Sequence, residues 1–130
     1  LSHVIGDLHQ PLHVGIPGDR GGNSIKVTFF GEETNLHTVW DSKLINYEEL
    51  SYTEYAHKLQ LNLTSEFKNK TQSGQIENWI LESRAARPQV YAIGNGSLGY
   101  EYIYKNKALS ERRLLEGGLR LAYLLNEIYK

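Results

Sequence analysis

Two histidine–aspartate pairs carry most of the chemistry that this sequence offers. His3 and Asp7 stand four residues apart in HVIGD, and His37 and Asp41 stand four residues apart in HTVWD. On a helix this spacing puts both side chains on one face, with Cβ atoms about 5–6 Å apart, close enough to grip one cation. His13 follows just beyond the first pair. The two pairs and His13 together predict a metal site.

The residue types at this site favour zinc. Imidazole nitrogen and carboxylate oxygen both bind Zn²⁺ at about 2.0–2.2 Å, whereas Mg²⁺ and Ca²⁺ prefer sites built from oxygen alone. A single His-x3-Asp pair is more often an ordinary polar pair, because i,i+4 polar neighbours are common on helices. A second pair together with His13 makes metal binding the favoured interpretation.

Composition limits the classes of function. The 130 residues have a formal net charge of −1 and contain neither cysteine nor methionine. With no global basic field, a nucleic-acid substrate would be held by local features and metal ions, which disfavours a histone-like binder. The absence of cysteine excludes disulfides and thiolate ligands. The sequence contains no apolar run of about 18 residues, the length that would predict a membrane span. The missing methionine and a start inside an apparent helix predict a portion of a longer protein.

Hydrophobic spacing predicts a mainly helical chain with one short strand or β-hairpin. The predicted helices cover 2–10, 35–47, 53–67, 75–86 and 109–129, and the predicted strand covers 25–30. Pro11 should end the first helix and leave His13 on a loop. Asn35 should cap the second helix, and Pro88 should interrupt the fourth.

The last predicted helix is expected to bury a stripe of mostly apolar residues. The inward positions are Leu115, Leu119, Ala122 and Leu125 or Asn126. Each glycine of the Gly117-Gly118 pair costs about 1 kcal/mol of helix stability. Close approach of another helix would explain the pair.

Other conspicuous residues have structural interpretations. Trp40 and Trp79 are expected in the core, because an aromatic side chain at helical spacing usually packs. His57 is expected to face solvent, and His9 to be exposed or to make a supporting hydrogen bond. Asp19 and Arg20 are expected to form a turn with a satisfied charge, and a substrate role for Arg20 is the less favoured alternative.

Four segments resemble the second half of the S1/P1 nuclease family in order and spacing. They are HVIGDLHQPLHVG, DRGGNSIKV, NLHTVWDSKLI and GGLRLAYLLNEI. The resemblance runs nearly end to end and is most specific in the first 45 residues. It implies a mainly helical, phospholipase C-like fold in which residues 1–130 are the C-terminal portion of a single domain. The N-terminal half of that domain is then a missing partner.

The resemblance also implies a role for each candidate ligand. His3 and Asp7 would hold one zinc of a close pair, with Asp7 as the catalytic carboxylate that bridges to the second zinc. His13, His37 and Asp41 would hold a third zinc. In the family the remaining ligands belong to the N-terminal half, so this chain alone would hold at most a partial set of the three ions.

Two further positions are implied to contact substrate. Asn23 resembles the family position beside the bound base, and Gly22 would let the backbone come close to it. The family hydrolyses single-stranded DNA or RNA to nucleoside 5′-phosphates, many members are also 3′-nucleotidases, and a secreted or periplasmic location is implied.

Residues 1–130 alone are expected to be inactive. Two alternatives remain, a non-catalytic zinc-binding fragment and a zinc phospholipase C-like hydrolase, although the NLHTVWD and GGN segments favour the nuclease.

Overall fold

The computed structural model describes residues 1–130 as a mainly helical chain with a small three-stranded sheet, which confirms the predicted fold class. In chain order the elements are α1 (Ser2–His9), a 3₁₀ turn (Pro11–Val14), β1 (Lys26–Phe29), β2 (Glu32–Asn35), α2 (Leu36–Thr38), a π-helical turn (Val39–Lys43), α3 (Leu44–Asn46), α4 (Tyr52–Gln60), α5 (Ser65–Gln72), α6 (Ile76–Val90), β3 (Ser97–Leu98) and α7 (Tyr100–Ile128). None of these helices combines the length and apolarity needed to span a bilayer.

The segment after α1 is more regular than predicted. Pro11 does end α1, but His13 lies on the 3₁₀ turn and not on a loop. The Gln10 side chain accepts a hydrogen bond from the Leu12 N–H at 2.6 Å, which caps the turn. Pro11 stands at the first position of the turn, where its missing N–H leaves no helical bond unmade. The capped turn therefore fixes the backbone conformation at His13.

The small sheet lies over the apolar core. β1 and β2 form an antiparallel hairpin, and β3 pairs with β1 in parallel. Val27 and Phe29 of β1 are buried, as their alternation predicts. β3 was not predicted, because two residues are too few to show a period. The core cluster is formed by Leu12, Val27, Phe29, Leu36, Val39, Trp40, Leu44, Val90, Leu98, Tyr102 and Ile103.

The predicted helix over 35–47 exists as a run of α2, the π turn and α3. The Asn35 side chain accepts a hydrogen bond from the Thr38 N–H at 2.8 Å, so its predicted capping role is confirmed. A π turn is rare and is frequently found at functional sites. Here it carries Trp40 and Asp41.

The predicted helix over 53–67 is wrong, because two helices stand in its place. α4 begins at a capping box formed by Ser51 and Glu54. The Thr64 hydroxyl accepts a hydrogen bond from the Phe67 N–H at 3.1 Å and starts α5. A threonine that bonds to the backbone three residues ahead favours a new helix start over continuation.

The predicted break at Pro88 is also wrong, since α6 continues through it to Val90. Pro88 lies in the last turn, where it removes one helical hydrogen bond. The neighbouring Arg87 guanidinium donates to the carbonyl oxygens of Val14 and Gly15, at 3.2 and 2.8 Å, and fixes that turn to the loop after the 3₁₀ turn.

The last helix is longer than predicted, and the residues that it buries beyond Ile103 are polar or charged. α7 begins at Tyr100 and spans 29 residues. Leu115 and Leu119 are only partly buried, and Ala122, Leu125 and Asn126 are exposed, so the predicted leucine face is wrong. The polar or charged residues that α7 buries are Asn106, Ser110, Arg113, Glu116 and Arg120.

The predicted close approach of another helix is found at Gly117 but not at Gly118. A Cβ on Gly117 would lie 3.3 Å from Cγ of His9, so α1 does pack closely there. A Cβ on Gly118 would meet nothing within 4 Å.

A buried polar network fixes α1 to α6 and α7. Arg113 Nε donates to the His9 carbonyl at 3.2 Å, and the Ser83 hydroxyl donates to the Leu8 carbonyl at 2.5 Å. Arg113 and Arg120 both donate to the Glu82 carboxylate, at 2.7 to 2.9 Å. These bonds satisfy the last carbonyls of α1 and so fix the helix that carries the first histidine–aspartate pair.

His9 belongs to the same network and is buried, not exposed. Its Nδ1 bonds to the Ile5 carbonyl at 2.7 Å, and Arg120 donates to its Nε2 at 2.8 Å. Burial, aided by the nearby guanidinium groups, lowers the pKa of His9 to about 4. Trp40 and Trp79 are buried and His57 is exposed, as predicted.

Candidate metal centre

The two predicted pairs and His13 form one continuous chain of contacts. His3 Nε2 lies 3.1 Å from Asp7 Oδ2, and Asp7 Oδ1 lies 2.9 Å from His13 Nδ1. His13 Nε2 lies 3.4 Å from Asp41 Oδ1, and Asp41 Oδ2 lies 2.8 Å from His37 Nε2. His13 therefore connects the two pairs, and the fold brings together all of the side chains predicted as ligands.

Three of these residues fit a single metal ion. The candidate ligand atoms of His13, His37 and Asp41 all lie within 4.8 Å of one another. The two imidazole rings are stacked, with centroids 5.1 Å apart and planes 9° apart. Tetrahedral zinc with bonds of about 2.0–2.1 Å needs ligand atoms roughly 3.3 Å apart, so small side-chain rotations suffice. Three protein ligands would leave one coordination position open, as in catalytic zinc sites.

The hydrogen bond on the far side of His37 supports the same interpretation. Its Nδ1 lies 2.8 Å from the carbonyl oxygen of Gly21, which can only accept, so Nδ1 carries the proton. Nε2 then faces the Asp41 carboxylate at 2.8 Å. A carboxylate oxygen this close to Nε2 requires a cation or a second ring proton between the two atoms. A bound cation on Nε2 satisfies both groups.

His3 and Asp7 do not form a complete metal site within this chain. The His3 side chain is 88% exposed and that of Asp7 is 42% exposed. His3 and Asp7 are not part of the three-residue group that could hold an ion. Zinc sites ordinarily have at least three protein ligands, so this pair needs further ligands to hold one.

Trp40 and Tyr102 fix the π turn that carries Asp41. The Trp40 indole N–H donates to the Tyr102 hydroxyl at 2.8 Å, and that hydroxyl donates to the Val90 carbonyl at 2.6 Å. Burial raises the pKa of Tyr102 to about 12, although the bond from Trp40 acts in the opposite direction. The phenol therefore keeps its proton and remains a donor at neutral pH. Asp41 thus projects from a turn whose preceding side chain is tied to α7 and α6.

The candidate ligands lie where two open clefts meet. A cleft of about 690 Å³ runs between α1, the π turn and α7, and a second of about 560 Å³ runs along the loop of residues 15–21. Asp7 and His13 line both clefts. His37 and Arg20 line only the second, and Asp41 lines only the first. An extended substrate could therefore pass over the candidate centre from one cleft to the other.

Asn23 and Gly22, predicted to contact substrate, do not line either of these clefts. Asn23 lines a separate depression beside β1 and donates to the Arg20 carbonyl at 3.0 Å. Gly22 is buried, and a Cβ there would lie 3.3 Å from the His37 backbone nitrogen. Gly22 thus allows the loop to pack against the start of α2, and a substrate role for either residue stays a prediction.

Sequence reasoning missed the residues that support the ligands. Gln10, the Gly21 carbonyl and Tyr102 all act over long sequence separations, which a periodic pattern does not register. Gln10 had no local signal either, because glutamine is not among the residues that ordinarily cap a helix start.

Comparisons with known proteins identify the family of this chain. A family model described as S1/P1 Nuclease matches residues 1–130. Endonuclease 4 of Arabidopsis thaliana is 38% identical over 146 residues, covering 99% of this chain and 49% of that protein. Nuclease S1 of Aspergillus oryzae is 30% identical, covering 98% and 52%, and Nuclease P1 of Penicillium citrinum is 33% identical, covering 99% and 56%. The chain spans about half the length of these curated relatives.

Proposed function

The chain belongs to the S1/P1 nuclease family, and we propose that it is the C-terminal portion of a zinc-dependent phosphodiesterase. The proposed substrate is single-stranded DNA or RNA, and the products are nucleoside 5′-phosphates. The observation that carries the proposal is the convergence of His13, His37 and Asp41 within 4.8 Å. The names of the relatives, endonucleases and nucleases, support hydrolysis of nucleic acid over a phospholipase reaction.

We assign one zinc site to His13, His37 and Asp41, and a share of a close zinc pair to His3 and Asp7. Asp7 turns one carboxylate oxygen to His3 and the other to His13, and we assign it the role of the bridging, catalytic carboxylate. Bound zinc would supply Lewis-acid stabilisation of charge on the phosphoryl and leaving oxygens. This fits a chain of net charge −1, which has little positive charge of its own for that task.

The remaining ligands of the close pair would come from the preceding half of the same domain. The exposed His3 side chain and the open cleft beside it support this assignment. The family resemblance is the basis for two finer parts of the proposal, removal of 3′-phosphates from nucleotides and a secreted or periplasmic location.

The full-length protein tests the proposal. We expect release of acid-soluble nucleotides from denatured DNA, loss of activity on chelation, and recovery with added Zn²⁺. His37→Ala should lower the zinc content by about one ion per molecule and leave the circular dichroism spectrum unchanged, because His37 is a partly exposed side chain at a cleft. His57→Ala is the matched control, since His57 is exposed on α4.

Unchanged zinc content in His37→Ala would exclude the ligand role. A protein that binds zinc but does not release nucleotides would support the non-catalytic alternative.

A further inference from the structure

We propose that Asp19 and Tyr91 are positioning residues for His37, acting through the backbone of Gly21. The sequence suggests only a turn at Asp19, and Tyr91 carries no chemical signal of its own. In the structure the two side chains form a relay from the end of α6 to the imidazole of His37. The metal-related part of this inference rests on the proposed function, whereas the relay itself is a property of the metal-free chain.

The first link is the hydrogen bond from His37 Nδ1 to the Gly21 carbonyl, at 2.8 Å. It holds the proton on Nδ1 and turns Nε2 toward Asp41. A ligating histidine needs this kind of support, because the group bonded to its second nitrogen sets both the tautomer and the ring orientation. The position of the Gly21 carbonyl therefore determines how well His37 is prepared to bind a cation.

The second link fixes Gly21. Its φ of +65° is in the left-handed region that favours glycine. A Cβ at this position would lie 2.9 Å from the Leu12 carbonyl oxygen, so the loop passes close against the 3₁₀ turn. The Asp19 Oδ1 atom accepts from the Gly21 N–H at 2.8 Å. The Asp19 carbonyl also accepts from the Ser24 N–H at 3.0 Å. Asp19 thus closes the loop with both its side chain and its backbone.

The third link fixes Asp19 itself. The Tyr91 hydroxyl donates to Asp19 Oδ2 at 2.5 Å and accepts from the Ile16 N–H at 3.4 Å. Burial, together with the bond to Asp19, raises the pKa of Tyr91 to about 12, so the phenol is a donor at neutral pH. Both carboxylate oxygens of Asp19 are then occupied by donors, which fixes its rotamer. These two donors satisfy the Asp19 carboxylate without an ion pair to Arg20.

The end of α6 consequently braces the candidate site on two sides. Tyr91 supports His37 through Asp19 and Gly21. The adjacent Val90 carbonyl accepts from Tyr102, which supports the turn of Asp41 through Trp40. Two neighbouring residues of one helix end therefore determine the relative placement of two candidate ligands.

The tautomer of His37 provides a direct test. Long-range ¹H–¹⁵N correlation spectra of the metal-free full-length protein should show a proton on Nδ1 of His37. In Asp19→Ala the Gly21 carbonyl loses its restraint, and the fraction of His37 rings with a proton on Nδ1 should fall. Tyr91→Phe should cause a smaller shift in the same direction, because Asp19 keeps its bond to Gly21. Tyr104→Phe is the control, since Tyr104 is 88% exposed on α7.

Zinc affinity, measured by competition with a chelator, provides the second readout. Loss of an outer partner of a metal-binding histidine typically costs 10–100-fold in affinity, so Asp19→Ala should bind zinc at the His37 site at least about 10-fold more weakly. Asp19→Asn keeps an oxygen for the Gly21 N–H and should recover most of that loss. A merely structural aspartate would instead give losses that follow the melting temperature of each variant.

The outcomes separate the relay from the proposed function. An unchanged His37 tautomer in Asp19→Ala and Tyr91→Phe, at temperatures where both are folded, would overturn the relay whatever their zinc affinity. Should Asp19→Ala be unfolded, Tyr91→Phe decides the same question. Unchanged zinc content in His37→Ala would instead refute the proposed metal site and leave the tautomer result intact.

Discussion

The side-chain amide of Gln10 donates a hydrogen bond to Oδ1 of Asp41 at 2.8 Å, across 31 positions of sequence. Its oxygen accepts from the Leu12 N–H at 2.6 Å, in the turn that carries His13. One amide therefore couples the turn that carries one candidate ligand, His13, to the side chain of another, Asp41. A side-chain amide can donate one hydrogen bond and accept the other, whereas a carboxylate could not donate to Asp41.

Gln10→Met should weaken zinc binding at the His13–His37–Asp41 group by about 10-fold, because an outer partner of a ligating carboxylate is lost. Methionine keeps the length of the side chain but neither donates nor accepts strongly. Gln89→Met is the matched control, since the Gln89 amide donates to the Lys105 carbonyl at an exposed surface. Chelator competition on the full-length protein measures both variants. Equal affinities for the two variants would refute the coupling role of Gln10.

The sequence predicted those features whose signal is local. The i,i+4 spacing placed His3 beside Asp7, and Asn35 caps its helix as its position indicates. The alternation of Val27 and Phe29 identified a strand. In each case a few consecutive residues contain the physical cause, which is helix geometry, capping or the two-residue period of a strand.

Features that depend on distant polar partners were not predictable. The helical spacing of apolar residues predicts that leucines face inward on α7. Arg113 and Arg120 are buried instead, because Glu82 of α6 pairs with both. The periodic pattern contains no information about Glu82, and so the leucine face was assigned to the wrong side. Likewise, α6 continues through Pro88 to Val90, and the neighbouring Arg87 bonds to backbone more than 70 residues earlier in the chain, a partner that no local pattern reveals.

Tyr102→Phe should destabilise the fold by about 1–3 kcal/mol, the usual cost of leaving a buried donor unsatisfied. The variant removes the acceptor of the Trp40 indole N–H and the donor to the Val90 carbonyl. Urea unfolding followed by tryptophan fluorescence measures the change, with Tyr104→Phe as the exposed control. A loss within about 0.5 kcal/mol, the range of ordinary surface substitutions, would contradict a bracing role for the Trp40–Tyr102 pair.

Arg120→Met should destabilise the protein by about 1–3 kcal/mol, the usual cost of leaving buried hydrogen-bonding groups unsatisfied. The full cost of breaking a buried ion pair does not apply, because the Glu82 side chain is 42% exposed and keeps the bond from Arg113. The variant also removes the donor to His9 Nε2 and to the Thr71 carbonyl. Arg84→Met provides the control at an exposed position of α6. Equal unfolding free energies for the two variants would show that the network contributes little to stability.

The last prediction concerns residues 1–130 on their own, which should hydrolyse denatured DNA poorly or not at all. His3 and Asp7 provide two ligands for the proposed close zinc pair, fewer than the three that a catalytic zinc site ordinarily has. The cleft between α1 and α7 also presents Leu114 and Leu121, apolar surface that favours association when uncovered. We therefore expect low activity together with concentration-dependent association in analytical ultracentrifugation.

The decisive measurement compares residues 1–130 with the full-length protein at equal concentration, by release of acid-soluble nucleotides in the presence of zinc. Adding the proposed N-terminal half as a separate polypeptide should restore part of the activity and suppress the association, because we expect it to supply ligands and cover the cleft. A matched mixture with Asp7→Ala in residues 1–130 should stay inactive, since that variant lacks the proposed bridging carboxylate. Comparable rates from residues 1–130 and the full-length protein would show that no further ligands are needed, and the shared zinc pair would have to be abandoned.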